Sequence, residues 1–293
     1  MTTIRVGGVP EHFNLPWHLC IEEGKFEAAG LEIAWREYPE GTGAMCKSLR
    51  NEDIDVAVIL TEGIIKDIIA GNPSKIIQNY IGSPLIWGIH VACESKYHDI
   101  QDLEGTTAAI SRFGSGSHLM AYVNAQHHDW DVDELQFEVI NNVDGAIKAL
   151  KNDEAQYFMW EHFTTKPLVD NKTFRLIADC PTPWPCFVIA ATEKAIAEKP
   201  DALQKMLKVL NAETANFKLK PKVDVLLAER YQQKLEDIRK WLDLTRWSQE
   251  QISDEETENV VNQLFNLGLV DQKVSRDKLL HFFLDLNDSI SQE

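Results

Sequence analysis

The run Arg112-Phe-Gly-Ser-Gly-Ser-His118 has the residue types of an anion cradle. It follows the apolar stretch Thr106 to Ile110 and precedes a helix-like segment, so a strand end, a Gly/Ser turn and a helix start coincide. Gly114 and Gly116 let backbone approach a ligand closely, Ser115 and Ser117 supply hydroxyls, and the free N–H groups of a helix start favour negative charge. With Arg112 beside them, these residues suit a carboxylate, a sulfonate or a phosphate. Gly and Ser also cap helices for structural reasons alone, which is the rival reading of the same turn.

Other polar residues fall at comparable places. Gly41-Thr42-Gly43 sits before a helical pattern, where its amides and the Thr42 hydroxyl could hold a polar head group. Thr61 and Glu62 follow a buried strand, and Glu62 is placed to accept hydrogen bonds from an amine or aminopyrimidine, or else to stabilise a helix start. Glu11, His12 and Phe13 lie in the loop after the first strand, and Ser83 and His90 flank and enter a later apolar run. Trp160 and Glu161 end another strand, and Trp87, Trp160 and Trp184 offer stacking faces, although tryptophan is more often core. The histidines join no Ser/His/Asp order and no HExxH pattern, and His127-His-Asp-Trp-Asp131 falls where a helix gives way to a surface loop. No metal site, no cofactor and no catalytic residue is assigned.

The elements that must position these groups alternate. Strand patterns at Ile4 to Val9, Leu31 to Tyr38, Asp55 to Leu60 and Lys75 to Tyr80 are separated by helical patterns near Trp17 to Ala28, Gly43 to Asn51 and Glu62 to Ala70. After the apolar run Leu85 to Cys93, a second series begins at Thr106 to Ile110. It continues with a helix from Ser117, Leu135 to Ile140, a helix from Asn142 to Lys151, Tyr157 to Trp160 and Arg175 to Ala178. Cys186 to Ala191 then precedes helical periods at Ala202 to Leu219, Val223 to Leu235, Thr257 to Leu267 and Asp277 to Ser289. The acidic run Asp254-Glu-Glu-Thr-Glu258 reads as a helix start.

This order predicts an α/β chain of two lobes joined by two crossing strands, Leu85 to Cys93 and Pro185 to Ala191, with a helical C-terminal extension. Lobe one is expected over 1–90 and 187–293, and lobe two over 91–186. Ligands of such folds sit at the carboxyl ends of parallel strands, and closure about the crossings would bury one between the lobes.

Composition narrows the function. The net charge of −17 is spread along the chain, with 7 basic and 12 acidic residues in 1–90, 7 and 15 in 91–186, and 15 and 19 in the remainder. Without clustered Lys and Arg to neutralise phosphates, nucleic-acid binding is not expected. No apolar stretch approaches the roughly 18 residues that span a bilayer, so no membrane insertion is expected. The N-terminus enters a strand-like run without a basic region and apolar core, from which a cytoplasmic location is expected. The 5 cysteines, Cys20, Cys46, Cys93, Cys180 and Cys186, are odd in number and lack CxxC spacing, which argues for buried thiols rather than disulfides or zinc.

Taken in order, several motifs carry a family resemblance. They are Ile4-Arg-Val-Gly-Gly-Val9, Glu23-Gly-Lys-Phe-Glu-Ala-Ala-Gly-Leu31, Gly41-Thr-Gly43, Asp53-Ile-Asp-Val-Ala57, Ser83-Pro-Leu-Ile-Trp-Gly88, Asp102-Leu-Glu-Gly105 and Gly114-Ser-Gly-Ser117. Over residues 3 to 220 the chain resembles the substrate-binding proteins of nitrate, sulfonate and taurine ABC transporters, a family that also contains the thiamine-pyrimidine synthases. The resemblance implies a type II periplasmic-binding-protein fold and a non-catalytic protein that closes on a small anionic, zwitterionic or amino-heterocyclic ligand. It implies as an alternative a pyridoxal-phosphate-dependent synthase. Those enzymes carry a dense cysteine run before the returning strand, where this chain reads Cys180-Pro-Thr-Pro-Trp-Pro-Cys186, and Lys25 and Lys47 read as solvated helix residues. A third reading is a cytosolic sensor or carrier that presents its C-terminal helices to a protein partner.

Overall fold

The computed structural model describes residues 1–283. In chain order, the first series is β1 (Thr2–Gly8), α1 (Leu15–Glu22), α2 (Lys25–Ala28), β2 (Leu31–Glu37), α3 (Thr42–Arg50), β3 (Val56–Leu60), α4 (Thr61–Ile69) and β4 (Ser74–Ile81). The second is β5 (Ile86–Ala92), β6 (Thr107–Ile110), α5 (Gly116–His127), β7 (Gln136–Val139), α6 (Val143–Lys151), β8 (Tyr157–Glu161), α7 (His162–Asp170) and β9 (Phe174–Pro181). β10 (Phe187–Thr192) then leads to α8 (Glu193–Glu198), α9 (Pro200–Asn216), α10 (Val223–Tyr231), α11 (Leu235–Leu244), α12 (Asp254–Asn266) and α13 (Arg276–Leu279).

Among the described residues two compact units result, one of residues 1–83 and 184–283, the other of 84–183. Residues 84–90, read from the sequence as the end of lobe one, lie in the second unit because β5 pairs only with β8 and β9 there. Likewise β10 pairs with β3 and β4 of the first unit, antiparallel to both.

The first sheet has the order β2-β1-β3-β10-β4 and the second β7-β6-β8-β5-β9. In each, the fourth strand runs against its neighbours while the first three are parallel. Sequence pattern follows position in the sheet: Phe187 to Thr192 of β10 are buried throughout, as a strand covered on both faces must be, whereas the edge strand β2 alternates Leu31 and Ile33 with exposed Glu32 and Ala34. Across the first sheet, β1 is tied to the loop before β3. Asp55 accepts from the Arg5 backbone N–H at 2.9 Å and its guanidinium at 2.7 Å, and from Lys199 Nζ at 3.1 Å.

Helix α9 turns Leu203, Met206, Leu207 and Leu210 inward at helical spacing. The acidic helix start is found at α12, where Ser253 and Glu256 form a reciprocal capping box. Three segments depart from the sequence reading. The period over Val223 to Leu235 predicts one helix, but α10 stops where Gln232 turns left-handed, at φ 52°, and α11 starts anew. The pattern at Trp17 to Ala28 likewise divides into α1 and α2. Helix α7 is hidden by Pro167 in its interior, which removes one rung of the hydrogen-bond ladder yet is tolerated. Of the helix expected over Asp277 to Ser289, residues 284–289 lie outside the described residues. No helix among the described residues is long and apolar enough to cross a membrane.

Candidate functional site

In the first unit, the loops that follow β1, β2, β3 and β4, with the segment that precedes β10, gather at one end of the sheet. Gly41 holds φ 75°, a left-handed backbone that suits glycine, and so turns the chain into α3 with Thr42 at its first position. Thr42 meets the start of α4: a Cβ added at Gly63 would lie 2.3 Å from Thr42 Cγ2, so the two helix starts approach this closely only with glycine at 63. The Thr61 hydroxyl donates to the Pro185 carbonyl at 2.6 Å, pinning α4 to the segment that returns from the second unit.

Glu62 is the chemically distinctive group here. Its side chain is 2% exposed, and its Oε2 accepts from the Trp184 indole N–H at 2.9 Å. Burial pushes the carboxyl up to about 7, against the opposing pull of its own backbone N–H and the indole. The other oxygen, Oε1, is buried without a hydrogen-bond partner. Ser83 is also buried; its hydroxyl accepts from the Arg246 N–H at 3.1 Å and its carbonyl from the Cys186 N–H at 3.1 Å.

Beside this polar cluster stands an aromatic wall. Phe13 packs on Phe187 with ring centroids 5.1 Å apart and on Trp241 at the same separation. The His12 ring lies 4.1 Å from Trp241 and 6.0 Å from Tyr231. Complete burial drives His12 down to about 3, so the ring is neutral and serves as part of this wall. Glu11 is half-buried and stands at the N-cap position of the short turn that carries His12 and Phe13, without a side-chain capping hydrogen bond. Trp241, Trp247 and Tyr231 come from the C-terminal segment, and the sequence does not single them out. Only the apolar period of α11 hints at Trp241, and no local signal ties it to a loop at the other end of the chain.

The second unit assembles the Ser-rich turn. Ser117 Oγ accepts from the Ser111 N–H at 2.9 Å and lies 3.3 Å from Ser111 Oγ and 3.1 Å from Ser115 Oγ. Ser115 caps α5, accepting from the His118 N–H, and the Gly114 N–H donates to His118 Nδ1 at 3.0 Å. Three buried hydroxyls therefore stand with Gly116 at the start of a helix of 12 residues, where the helix leaves N–H groups to be satisfied from outside. Arg112 is exposed beside them, and so is Phe113, at 66%, an aromatic face that the sequence reading passed over.

The remaining candidates of this unit are held by its own core. His90 is buried, with Nε2 2.9 Å from Thr165 Oγ1 and Nδ1 3.3 Å from the Phe158 carbonyl, and burial lowers it to about 4. Trp160 stacks on Phe158 at 5.4 Å, and Trp87 meets Trp160 edge-on at 6.4 Å. Glu161 caps α7, its Oε2 accepting from the Thr164 N–H at 2.6 Å and hydroxyl at 2.7 Å, and burial raises its carboxyl. Lys25, read as solvated, is instead ion-paired with Glu23 and with buried Glu213, which Lys220 also holds at 2.7 Å.

Residues 87–180 match the family model described as Ca3427-like PBP. Among solved structures, the chain is similar to the Candida albicans CA3427 gene product, described as defining a family with the generic periplasmic-binding-protein fold. Identity is 24%, the TM-score 0.83, and the match covers 94% of this chain and 92% of that one. It is similar to the alkanesulfonate-binding protein SsuA from Xanthomonas axonopodis pv. citri bound to MOPS, at 13% identity and TM-score 0.80, over 97% of this chain and 99% of that one. It is also similar to the nitrate-binding protein NrtA from Synechocystis, at 14% identity and TM-score 0.68, over 95% and 84% of the two chains. No curated protein matches the chain.

Proposed function

We propose, from a chain that has the fold of the periplasmic binding proteins, that its function is to bind a small molecule without transforming it. In this reading each unit presents half of the contacts and the two close over the ligand. The observation that carries it is the gathering of the Ser111, Ser115 and Ser117 hydroxyls at the start of α5, which suits an anionic group. The first unit supplies the contrasting half, a buried carboxyl beside aromatic rings. A carboxyl there disfavours a highly charged anion, so a monoanion, zwitterion or amino-heterocycle fits best. Five free thiols, four of them buried, suit a reducing compartment, and we place the protein there.

A thermal-shift panel of taurine, ethanesulfonate, nitrate, pyrimidine and 2-aminopyrimidine tests the reading. A ligand that binds only the folded chain adds about 2.7 kcal/mol at a hundredfold excess over its dissociation constant, and a saturable rise in melting temperature is expected. A folded protein that none of the panel stabilises at millimolar concentration contradicts it.

A further inference from the structure

We infer that Glu62 Oε1 is the acceptor for an N–H group of the ligand, so that the chain selects amines or amino-substituted heterocycles over analogues that lack the N–H. The inference rests on the binding reading and adds to it which chemical group the first unit recognises.

The argument starts from an incomplete hydrogen-bond inventory. A carboxylate has two oxygens that each accept, and a buried one is normally saturated. Glu62 has one oxygen committed to the Trp184 indole, and that interaction fixes the side chain's direction. The second oxygen is buried and unpartnered. Helix capping does not account for it, because Leu60 caps α4 with no side-chain hydrogen bond and Glu62 bonds to no neighbour in that turn other than its own backbone N–H. Glu161, the N-cap of α7 in the second unit and so two positions earlier in its helix than Glu62 is in α4, shows what a structural carboxylate does at a helix start: it caps the helix through Thr164. The capping carboxylate is committed to its own helix through Oε2, whereas Glu62 keeps a buried oxygen with no partner. An ammonium or amino N–H is the partner that completes the second, and a sulfonate or nitrate oxygen is repelled by it. The elevated proton affinity of Glu62 agrees, since its own backbone N–H and the Trp184 indole offset the burial of its charge only in part.

Matched pairs that differ only in the amino group make the test: taurine against ethanesulfonate, and 2-aminopyrimidine against pyrimidine, with wild type and Glu62→Gln. The first pair reports an ammonium and the second an amino-heterocycle. Within the pair that binds, the amino member is expected to bind wild type at least about tenfold more tightly, and Glu62→Gln to remove that preference. Equal binding of both members, or a preference kept by Glu62→Gln, overturns the inference and leaves the binding reading standing. Absence of binding by any of the four overturns the binding reading and this inference with it. A second arm needs no ligand: at pH 8 the ligand-free Glu62→Gln protein is expected to melt at or above wild type. A clear fall would show that the carboxylate is held by the protein itself, and would also overturn the inference.

Discussion

Between pH 5 and pH 8 the ligand-free wild-type protein is expected to lose stability that the Glu62→Gln variant keeps. Burial raises the Glu62 carboxyl from its ordinary 4.5 to about 7 in the folded chain. The folded chain therefore holds a proton that the unfolded chain releases. The contribution is complete below pH 4.5 and drains away as pH rises to and through 7, because the folded protein must then bury a charge or give up its proton preference. The gap between 4.5 and about 7 corresponds to a loss of about 3 kcal/mol by pH 8. Paired urea melts at several pH values isolate the effect, since every other titrating group is common to both proteins. Wild-type and variant profiles that run parallel across this window would mean that Glu62 is charged and fully compensated within the fold.

Trp241→Ala is expected to be the most costly single change at the site. Trp241 is fully buried against His12, Phe13 and Trp247, and truncating such a side chain costs about 3–5 kcal/mol. It also opens the wall to water, so His12, now held near 3, is expected to titrate closer to its ordinary 6.5, which NMR of the imidazole protons reads directly. A cost under about 1 kcal/mol together with an unmoved His12 would show that the C-terminal segment does not seal this face.

These two residues mark the limits of what is legible in the sequence. Glu62 is legible because its signal is local: an acid two residues after the apolar run Val56–Leu60 sits at a strand end and a helix start whatever the rest of the fold does. The same holds for Ser115 and Ser117, whose glycine spacing marks the turn. Trp241 is not, because it acts through contact with His12, near the opposite end of the chain, and helical period shows only that a residue faces inward and not what it faces. Most strands are legible to within a residue or two, since a short apolar run such as Cys186 to Ala191, rich in β-branched and small residues, fits a buried strand and is too short for a buried helix. Sheet membership of Leu85 to Cys93 needs the pairing pattern, because a strand that is apolar but for His90 fits the centre of either sheet. His90 illustrates the converse: a histidine inside such a strand is satisfied by Thr165 and the Phe158 carbonyl and requires no ligand.

Amide hydrogen exchange, with and without the ligand that the thermal-shift panel selects, tests the central claim most directly. Binding shared by the two units is expected to slow exchange together at residues 61–64 in the first and at 112–118 in the second. Protection confined to one of these segments, with the other exchanging as in the free protein, would contradict a ligand held by both.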